Sequence, residues 1–336
     1  MVADTLLPSS HAPAEPSNAV LEQAADWYAL LCSHRVTNDD KARWHEWLQA
    51  SAEHRTAWQY VEDISGRFAP LYESVDPRIA AATLTRANAR FRRRRRALAG
   101  IVATAGAGTL GWLAWRNALL PGAVLAWAAD HRTGVGEQRD IVLEDGTRIW
   151  LNTASAINVA YSTSQRLITL VGGEIFIDTA ADAARPFLVD TDQGRLRALG
   201  TRFNVLQDRG QTRMAVYEGA VEIRVRSSNT VAVIEAGRQA VFTRDGITQT
   251  APADPARAAW TSGLLVARDL TLRDVVAELR RYRNGHIGLA DAVADLKVYG
   301  NFPVRDTDHA LAMLTTALPI QVRRTLPWWI SIEPRS

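Results

Sequence analysis

Apolar side chains in residues 18–90 recur every three or four positions, which is the spacing of one face of an α-helix. Thr37 or Asn38 can cap the second of these helices, and Ser51 can cap the third. The sequence therefore predicts an all-α bundle in this part of the chain. Residues 1–17 are rich in Pro, Ser and acidic side chains and have no apolar stretch, so they predict a disordered lead without a secretory signal.

From Gly136 the pattern changes to alternating apolar and polar residues, which is the spacing of β-strands. Asp145-Gly146 closes a predicted hairpin, because this dipeptide favours tight two-residue turns. Further short strands follow, with predicted turns at Gly172-Gly173, Gly210, Glu218-Gly219, Ala236-Gly237 and Asp245-Gly246. We therefore predict an all-β domain over residues 130–248.

Helical and strand patterns alternate after Pro255. A predicted helix presents one apolar face, made of Leu272, Val275, Val276 and Leu279. Asp306 can cap a second helix, and short apolar strands flank both. These elements predict a small α+β module of two β-α-β units over residues 260–334. Its exposed strand edges would suit pairing with a strand of another chain.

Residues 97–115 contain no charged side chain. As a helix they would span about 28 Å, close to the thickness of the hydrocarbon core of a bilayer. Five arginines precede this segment and would stay in the cytoplasm: Arg92, Arg93, Arg94, Arg95 and Arg96. We therefore predict one transmembrane helix, with residues 1–96 cytoplasmic and residues 120–336 periplasmic. The segment is only weakly hydrophobic, so a buried helix of a soluble domain is the alternative.

The glycines of this segment can be interpreted in two ways. Each lowers helix stability by about 1 kcal/mol relative to alanine. A helix that unwinds easily suits a substrate of an intramembrane protease. Close packing against another helix through small residues explains the same glycines equally well.

Charge and cysteine content narrow the functional classes. The net charge is +3, and without the five arginines it would be 3 − 5 = −2, so the basic balance comes from one tract. A general basic surface for nucleic acid is therefore not indicated, and we expect no direct binding of nucleic acid. Cys32 is the only cysteine, which excludes an intramolecular disulfide and a cysteine-based metal site. We predict that the protein binds no cofactor, has no metal site and is not an enzyme.

Four tryptophans fall within the predicted helical bundle: Trp27, Trp44, Trp47 and Trp58. A core of this size holds about two such large side chains. The others would lie at the surface, where tryptophan is typical of a binding anchor. We therefore predict a protein-binding surface at these residues. The alternative that all four are buried stays open.

Short motifs recur along the predicted β domain. They are Gly136-Glu137-Gln138-Arg139, Leu143-Glu144-Asp145-Gly146-Thr147-Arg148, Leu151-Asn152-Thr153-Ala154-Ser155, Gly173-Glu174, Arg185-Pro186-Phe187, Leu199-Gly200-Thr201-Arg202-Phe203-Asn204-Val205 and Tyr217-Glu218-Gly219. Together they resemble the FecR family of membrane-bound anti-sigma factors.

The resemblance extends to both ends of the chain, over roughly residues 20–334. Ala42-Arg43-Trp44, Trp47-Leu48, His54-Arg55 and Ala57-Trp58 look like the sigma-binding domain of the family. Leu270-Thr271-Leu272, Glu278-Leu279, Tyr282 and Gly300-Asn301-Phe302 resemble the short secretin/TonB N-terminal module.

The resemblance implies a relay across the inner membrane, with the N-terminus cytoplasmic and the C-terminus periplasmic. The four tryptophans would bind an extracytoplasmic-function (ECF) sigma factor. The periplasmic part would bind the signalling domain of an outer-membrane TonB-dependent receptor, commonly one for iron-siderophores. Regulated proteolysis, with a site-2-type intramembrane protease, would release the sigma factor. The alternative is a membrane-anchored periplasmic binding or scaffold protein without sigma-factor control.

One peptide bond is a candidate for chemistry. Some members of the family that this chain resembles cleave themselves at a Gly-Thr bond matching Gly200-Thr201. A threonine hydroxyl beside a strained peptide can attack the preceding carbonyl and convert the amide to an ester, which water then hydrolyses. The alternative is that the pair only forms a turn or bulge between strands.

Overall fold

The computed structural model describes residues 16–33, 36–72, 126, 128–208, 210–228 and 230–335. The chain forms two compact units, and each unit combines separate stretches of sequence. The helix–sheet unit comprises Met1–Arg86, Gly285–Asp295 and Leu318–Ser336. The curled-sheet unit comprises Ala87–Asn284 and Leu296–Ala317.

The described elements are mostly strands. In chain order they are α1 (Asn18–Leu31), α2 (Asn38–Ala50), α3 (Ala52–Tyr72), β1 (His131–Arg132), β2 (Arg139–Val142), β3 (Arg148–Leu151), β4 (Ala156–Tyr161), β5 (Arg166–Asp178), β6 (Phe187–Asp190), β7 (Gly194–Ala198), β8 (Arg202–Asp208), β9 (Gln211–Glu218), β10 (Ala220–Val225), β11 (Val231–Glu235), β12 (Arg238–Phe242), β13 (Ile247–Pro252), a 3₁₀ helix (Pro255–Ser262), β14 (Leu264–Thr271), α4 (Leu272–Arg281), β15 (His286–Leu289), α5 (Asp291–Ala294), β16 (Lys297–Pro303), α6 (Thr307–Ala317), β17 (Ile320–Leu326) and β18 (Trp329–Pro334).

Local capping sets where the N-terminal helices begin. Thr37 and Asp40 form a capping box at α2, in which each side chain accepts a hydrogen bond from the backbone N–H of the other residue. The hydroxyl oxygen of Ser51 accepts a hydrogen bond from the backbone N–H of His54 at 3.0 Å, just before α3. The predicted helical region and the caps at Thr37 and Ser51 are confirmed.

The long strand β5 organises the curled-sheet unit. Its first half pairs antiparallel with β4 and parallel with β6, and its second half pairs with β3 and β8. The main strand order is β11-β10-β7-β6-β5-β8-β9-β12-β13, with β1, β2, β3 and β4 off this path. Apolar side chains from both halves meet in one core that includes Ile168, Phe187, Phe203 and Phe242.

The turn predicted at Gly172-Gly173 is wrong, because β5 continues through both glycines. Gly173 has a φ of +86°, and a Cβ atom there would lie 2.6 Å from the Cα atom of Ser155. Glycine therefore permits both the left-handed backbone and the close approach of the neighbouring chain. The pairing with β4 shifts register at this point, so the glycine pair marks a bulge in the strand. The hairpin predicted at Asp145-Gly146 is confirmed by the antiparallel pair β2–β3.

The C-terminal elements differ from the single α+β module predicted for residues 260–334. β14 and β16 form an antiparallel two-stranded sheet, which lies in the curled-sheet unit with α4 and α6. β15, β18 and β17 form a three-stranded sheet in the helix–sheet unit, with β15 parallel to β18. Local sequence patterns found these elements but did not show which strands pair.

The helix–sheet unit has one core made from distant parts of the chain. Its buried residues are Ala24, Ala25, Ala57, Val61, Ile64, Trp328 and Trp329. The Trp328 ring lies 5.9 Å from the Tyr28 ring and stacks on Phe68 at 5.8 Å. The N-terminal helices are therefore not an independent all-α domain in this structure.

The predicted fold class is wrong in its transmembrane helix. Among the described helices, none combines the length and the hydrophobicity that spanning a bilayer requires. Residues 97–115, to which that helix was assigned, lie outside the described residues, as do Arg92–Arg96 and residues 1–15 of the predicted lead. The described structure is mostly β, with a curled sheet as its largest element.

The shared core makes a prediction about Trp328. Replacing it with alanine removes contacts to both α1 and α3, so we expect the helix–sheet unit to lose about 3–5 kcal/mol of stability. Hydrogen exchange should show faster exchange in α1 and α3 as well as in β18. Trp150→Ala, in the curled-sheet unit, is the control and should leave α1 and α3 protected. Faster exchange confined to β18 in the Trp328 variant would contradict the shared core.

Candidate functional site

The four predicted binding tryptophans lie on α1, α2 and α3. Trp58 is buried at 8% exposure, whereas Trp27, Trp44 and Trp47 are half-buried. The helices therefore bury one of the four and leave part of the other three accessible. Their role in binding stays a prediction.

Two of these tryptophans are held by neighbouring side chains. The Trp47 ring stacks on His54 at 4.5 Å, and its Nε1 donates a hydrogen bond to Gln23 at 2.9 Å. The Trp44 ring lies 4.9 Å from Trp58. Its buried Nε1 has no hydrogen-bond partner among the described residues. A buried donor without an acceptor is costly, and a partner that supplied an acceptor would remove that cost.

The Gly200-Thr201 pair lies in the turn between β7 and β8. Gly200 has a φ of +76°, which glycine adopts without strain. The backbone of Thr201 is fixed by Thr179, whose Oγ1 accepts from the Thr201 N–H at 2.8 Å and donates to the Thr201 carbonyl at 3.1 Å. The Thr201 side chain is 3% exposed, and its Oγ1 has no hydrogen-bond partner within the described residues.

Polar residues from separate motifs meet at the carboxylate of Glu174, on β5. Asn152 and Asn204 each donate a side-chain hydrogen bond to it at 2.8 Å. Arg281, at the end of α4, donates a third at 2.6 Å. Glu174 is 5% exposed, so these donors replace the water that a carboxylate needs.

The network continues to the 3₁₀ helix and to α4. Trp260 donates from Nε1 to the side-chain oxygen of Asn204 at 3.2 Å. Gln138 donates to Asn152 and to the Trp260 carbonyl, both at 2.9 Å. Gly136 has a φ of +78°, and a Cβ atom there would lie 2.9 Å from the Tyr282 carbonyl oxygen. Gly136, Gln138, Asn152, Glu174 and Asn204 thus form a clamp that holds the segment from Trp260 to Tyr282 on the sheet.

Burial and neighbouring carboxylates together shift the pKa values in this clamp. Burial raises the pKa of the Tyr282 hydroxyl, and Glu278 and Glu174 raise it further. Burial alone would lower the pKa of Arg281, but these two carboxylates outweigh it and raise that pKa. Arg281 is therefore charged and Tyr282 neutral, and the Arg281 guanidinium lies 2.6 Å from the Glu174 carboxylate.

The clamp was only partly visible in the sequence. The FecR-like motifs contain the five clamp residues, but nothing in their spacing showed that they converge. Trp260 and Arg281 were missed altogether, because their partners lie far away in the chain. A charged residue inside an apolar strand, as Glu174 is in β5, was the one available signal.

Two family models match the chain. Residues 129–222 match the model of the FecR protein family, from the start of the curled sheet into β10. These residues are called the FecR domain after the model that they match. Residues 22–64 match a domain of unknown function, DUF4880, which covers most of α1, all of α2 and part of α3. The resemblance to FecR inferred from the motifs is thus confirmed. No protein of curated function matches the sequence.

Solved structures extend the comparison beyond the FecR domain. Two crystal structures of a candidate anti-sigma factor from Parabacteroides distasonis ATCC 8503, at 1.65 Å and 2.50 Å resolution, are similar to this chain at 25% identity. The match covers 61% of this chain in both cases, and 99% and 98% of the other chain. The TM-scores are 0.51 and 0.50.

The clamp of the FecR domain makes a stability prediction. Glu174→Gln removes one of the two carboxylates that pair with Arg281, the other being Glu278, and turns an acceptor into a donor, so we expect a loss of about 2–3 kcal/mol. Glu218→Gln, at the 62% exposed end of an ion pair with Arg202, is the control and should cost less than about 1 kcal/mol. Urea denaturation measures both. Similar, small losses would show that the clamp does not hold the domain together.

Proposed function

We propose that this chain is an anti-sigma factor that binds an ECF sigma factor through residues 22–64. The FecR domain and the similarity to a candidate anti-sigma factor support a regulatory role of this kind. The observation that carries the proposal is the partial exposure of Trp27 on α1 and of Trp44 and Trp47 on α2. Large, rigid aromatic side chains of this kind often dominate the energy of a protein interface.

We further propose that the curled-sheet unit receives the signal. β14 and β16 pair only with each other among the described strands, so neither outer edge of their sheet is hydrogen-bonded to another described strand, and we propose strand addition at one of these edges. The signalling domain of a TonB-dependent receptor is the proposed partner. Release of the sigma factor by regulated proteolysis is the proposed response to that signal.

Sigma-factor binding can be tested by co-purification. We expect the full chain to retain an ECF sigma factor from its own genome when the two are co-expressed. Trp27→Ala and Trp47→Ala should each weaken retention at least tenfold, about 1.4 kcal/mol, because they truncate candidate anchors. Trp150→Ala, a half-buried tryptophan of the FecR domain, is the matched control and should bind normally.

Circular dichroism of each variant separates lost binding from lost helix. If the unaltered chain retained none of the ECF sigma factors of its genome, the sigma-binding proposal would fail. The scaffold alternative, without sigma-factor control, would then be favoured.

A second activity, self-cleavage at Gly200-Thr201, is proposed from one specific observation. The Thr201 hydroxyl is buried beside the candidate bond and has no competing hydrogen bond within the described residues. In the proposed reaction Thr201 Oγ1 attacks the Gly200 carbonyl carbon, and the amide nitrogen leaves with the hydroxyl proton. Water then hydrolyses the ester, giving a Gly200 carboxylate and restoring the Thr201 hydroxyl.

Three substitutions test the cleavage. Thr201→Val keeps the shape of the side chain but lacks a nucleophile, so we expect only the intact chain on a denaturing gel. Thr201→Ser keeps the hydroxyl and should still give two fragments. Thr179→Val, which removes the hydroxyl that fixes the Thr201 backbone, should slow cleavage. Two fragments from the valine variant at position 201 would reject this nucleophile.

A further inference from the structure

A polar pocket opens on the face of the curled sheet opposite its core. In the strand register, Val241 lies between Arg213 and Gln249, and Gln239 lies between Ala215 and Ala251. These two rows share one face of β9, β12 and β13, because side chains alternate along a strand. Arg257, on the 3₁₀ helix, completes the lining of a cavity of about 200 Å³.

The lining of this pocket is rich in hydrogen-bond donors and holds no carboxylate. Its charged side chains are Arg213 and Arg257, and the remaining polar ones are Gln239 and Gln249. Within the described part of the chain, neither guanidinium has a hydrogen bond or ion pair with a carboxylate. By contrast, Arg281 pairs with Glu174 at 2.6 Å, and Arg166 pairs with Asp145 at 2.7 Å. The two pocket arginines thus differ from the paired arginines of the same unit.

The lowered pKa of Arg213 agrees with this lack of a pairing carboxylate. Burial lowers the pKa of Arg213, and the like charge of Arg257 lowers it further, although Glu174 and Glu278 act in the opposite direction from beyond the pocket. A partly buried cation without a contacting anion is costly, and a bound anion would offset that cost.

We propose that this pocket binds a small oxyanion, a carboxylate or a phosphate, between the guanidinium groups of Arg213 and Arg257. The planar fork of arginine matches the paired oxygens of both ligand classes. The amide groups of Gln239 and Gln249 supply further donors. The volume equals that of several water molecules, at about 30 Å³ each, which leaves room for such an anion. Arg257 and Gln249 are exposed, so the pocket is open to solvent.

Calorimetry of the full chain in low-salt buffer tests the proposal, with inorganic phosphate and succinate as tetrahedral and planar probes. We expect at least one of them to bind with a dissociation constant below about 10 mM. Arg213→Gln should weaken binding at least tenfold. Arg197→Gln, on an exposed arginine of β7 outside the pocket, is the matched control and should bind normally. If Arg213→Gln does not fold, Arg257→Gln, at an exposed position, replaces it.

A second variant supplies the missing charge internally. Gln249→Glu places a carboxylate at the pocket, so we expect a higher melting temperature without added anion and a smaller melting-temperature shift with the anion that binds. Phosphate also stabilises proteins because it is excluded from their surface. That effect is the same for the unaltered chain and for Gln249→Glu, so it cancels when their melting-temperature shifts are compared. Equal melting-temperature shifts in the unaltered chain and in Gln249→Glu would overturn the proposal. In the calorimetry, it would also be overturned if neither probe bound, or if Arg213→Gln and Arg197→Gln bound the probe equally well.

Discussion

A carboxylate stays buried only when hydrogen-bond donors surround it, and Glu174 meets this condition with side chains from three parts of the chain. Asn152 follows β3, Asn204 lies on β8 and Arg281 ends α4, so satisfying one side chain fixes all three elements against β5. Trp260 is bound through Asn204 and fixes the 3₁₀ helix in turn. The polar motif residues of the FecR domain thus act in this structure mainly as attachment points for the segment that follows the sheet.

The local pattern of residues was enough to predict most helices and strands, but it did not predict which of them pair. Alternation located the short strands, and capping residues such as Thr37 and Ser51 marked helix starts, because these signals are contained within a few neighbouring residues. Glycine was misread at Gly172-Gly173, where the requirement comes from Ser155 on another strand. The association of Trp328 with α1 and α3 spans most of the chain and has no local signature. The membrane-spanning helix was inferred from composition and flanking charge alone, and no described helix has that character.

For the candidate sites, too, the sequence identified single residues but not their surroundings. Tryptophan content pointed to the helices, but only the packing separates the buried Trp58 from the three tryptophans that stay partly accessible. The resemblance selected Thr201, whereas only the three-dimensional structure shows that its hydroxyl has no hydrogen-bond partner among the described residues. The pocket between Arg213 and Arg257 had no sequence signal, because its residues come from three strands and a 3₁₀ helix, and arginine is common at protein surfaces.

The strand order has a consequence for any break in the chain between β7 and β8. The central strands β7, β6 and β5 precede that break, whereas β10 and β11 on one side and β8, β9, β12 and β13 on the other follow it. The C-terminal fragment would therefore pair with the N-terminal fragment on both sides, through intact ladders of backbone hydrogen bonds. A nicked molecule would migrate as one particle until denatured, and parting the two pieces would require a pulling force or an unfoldase rather than diffusion.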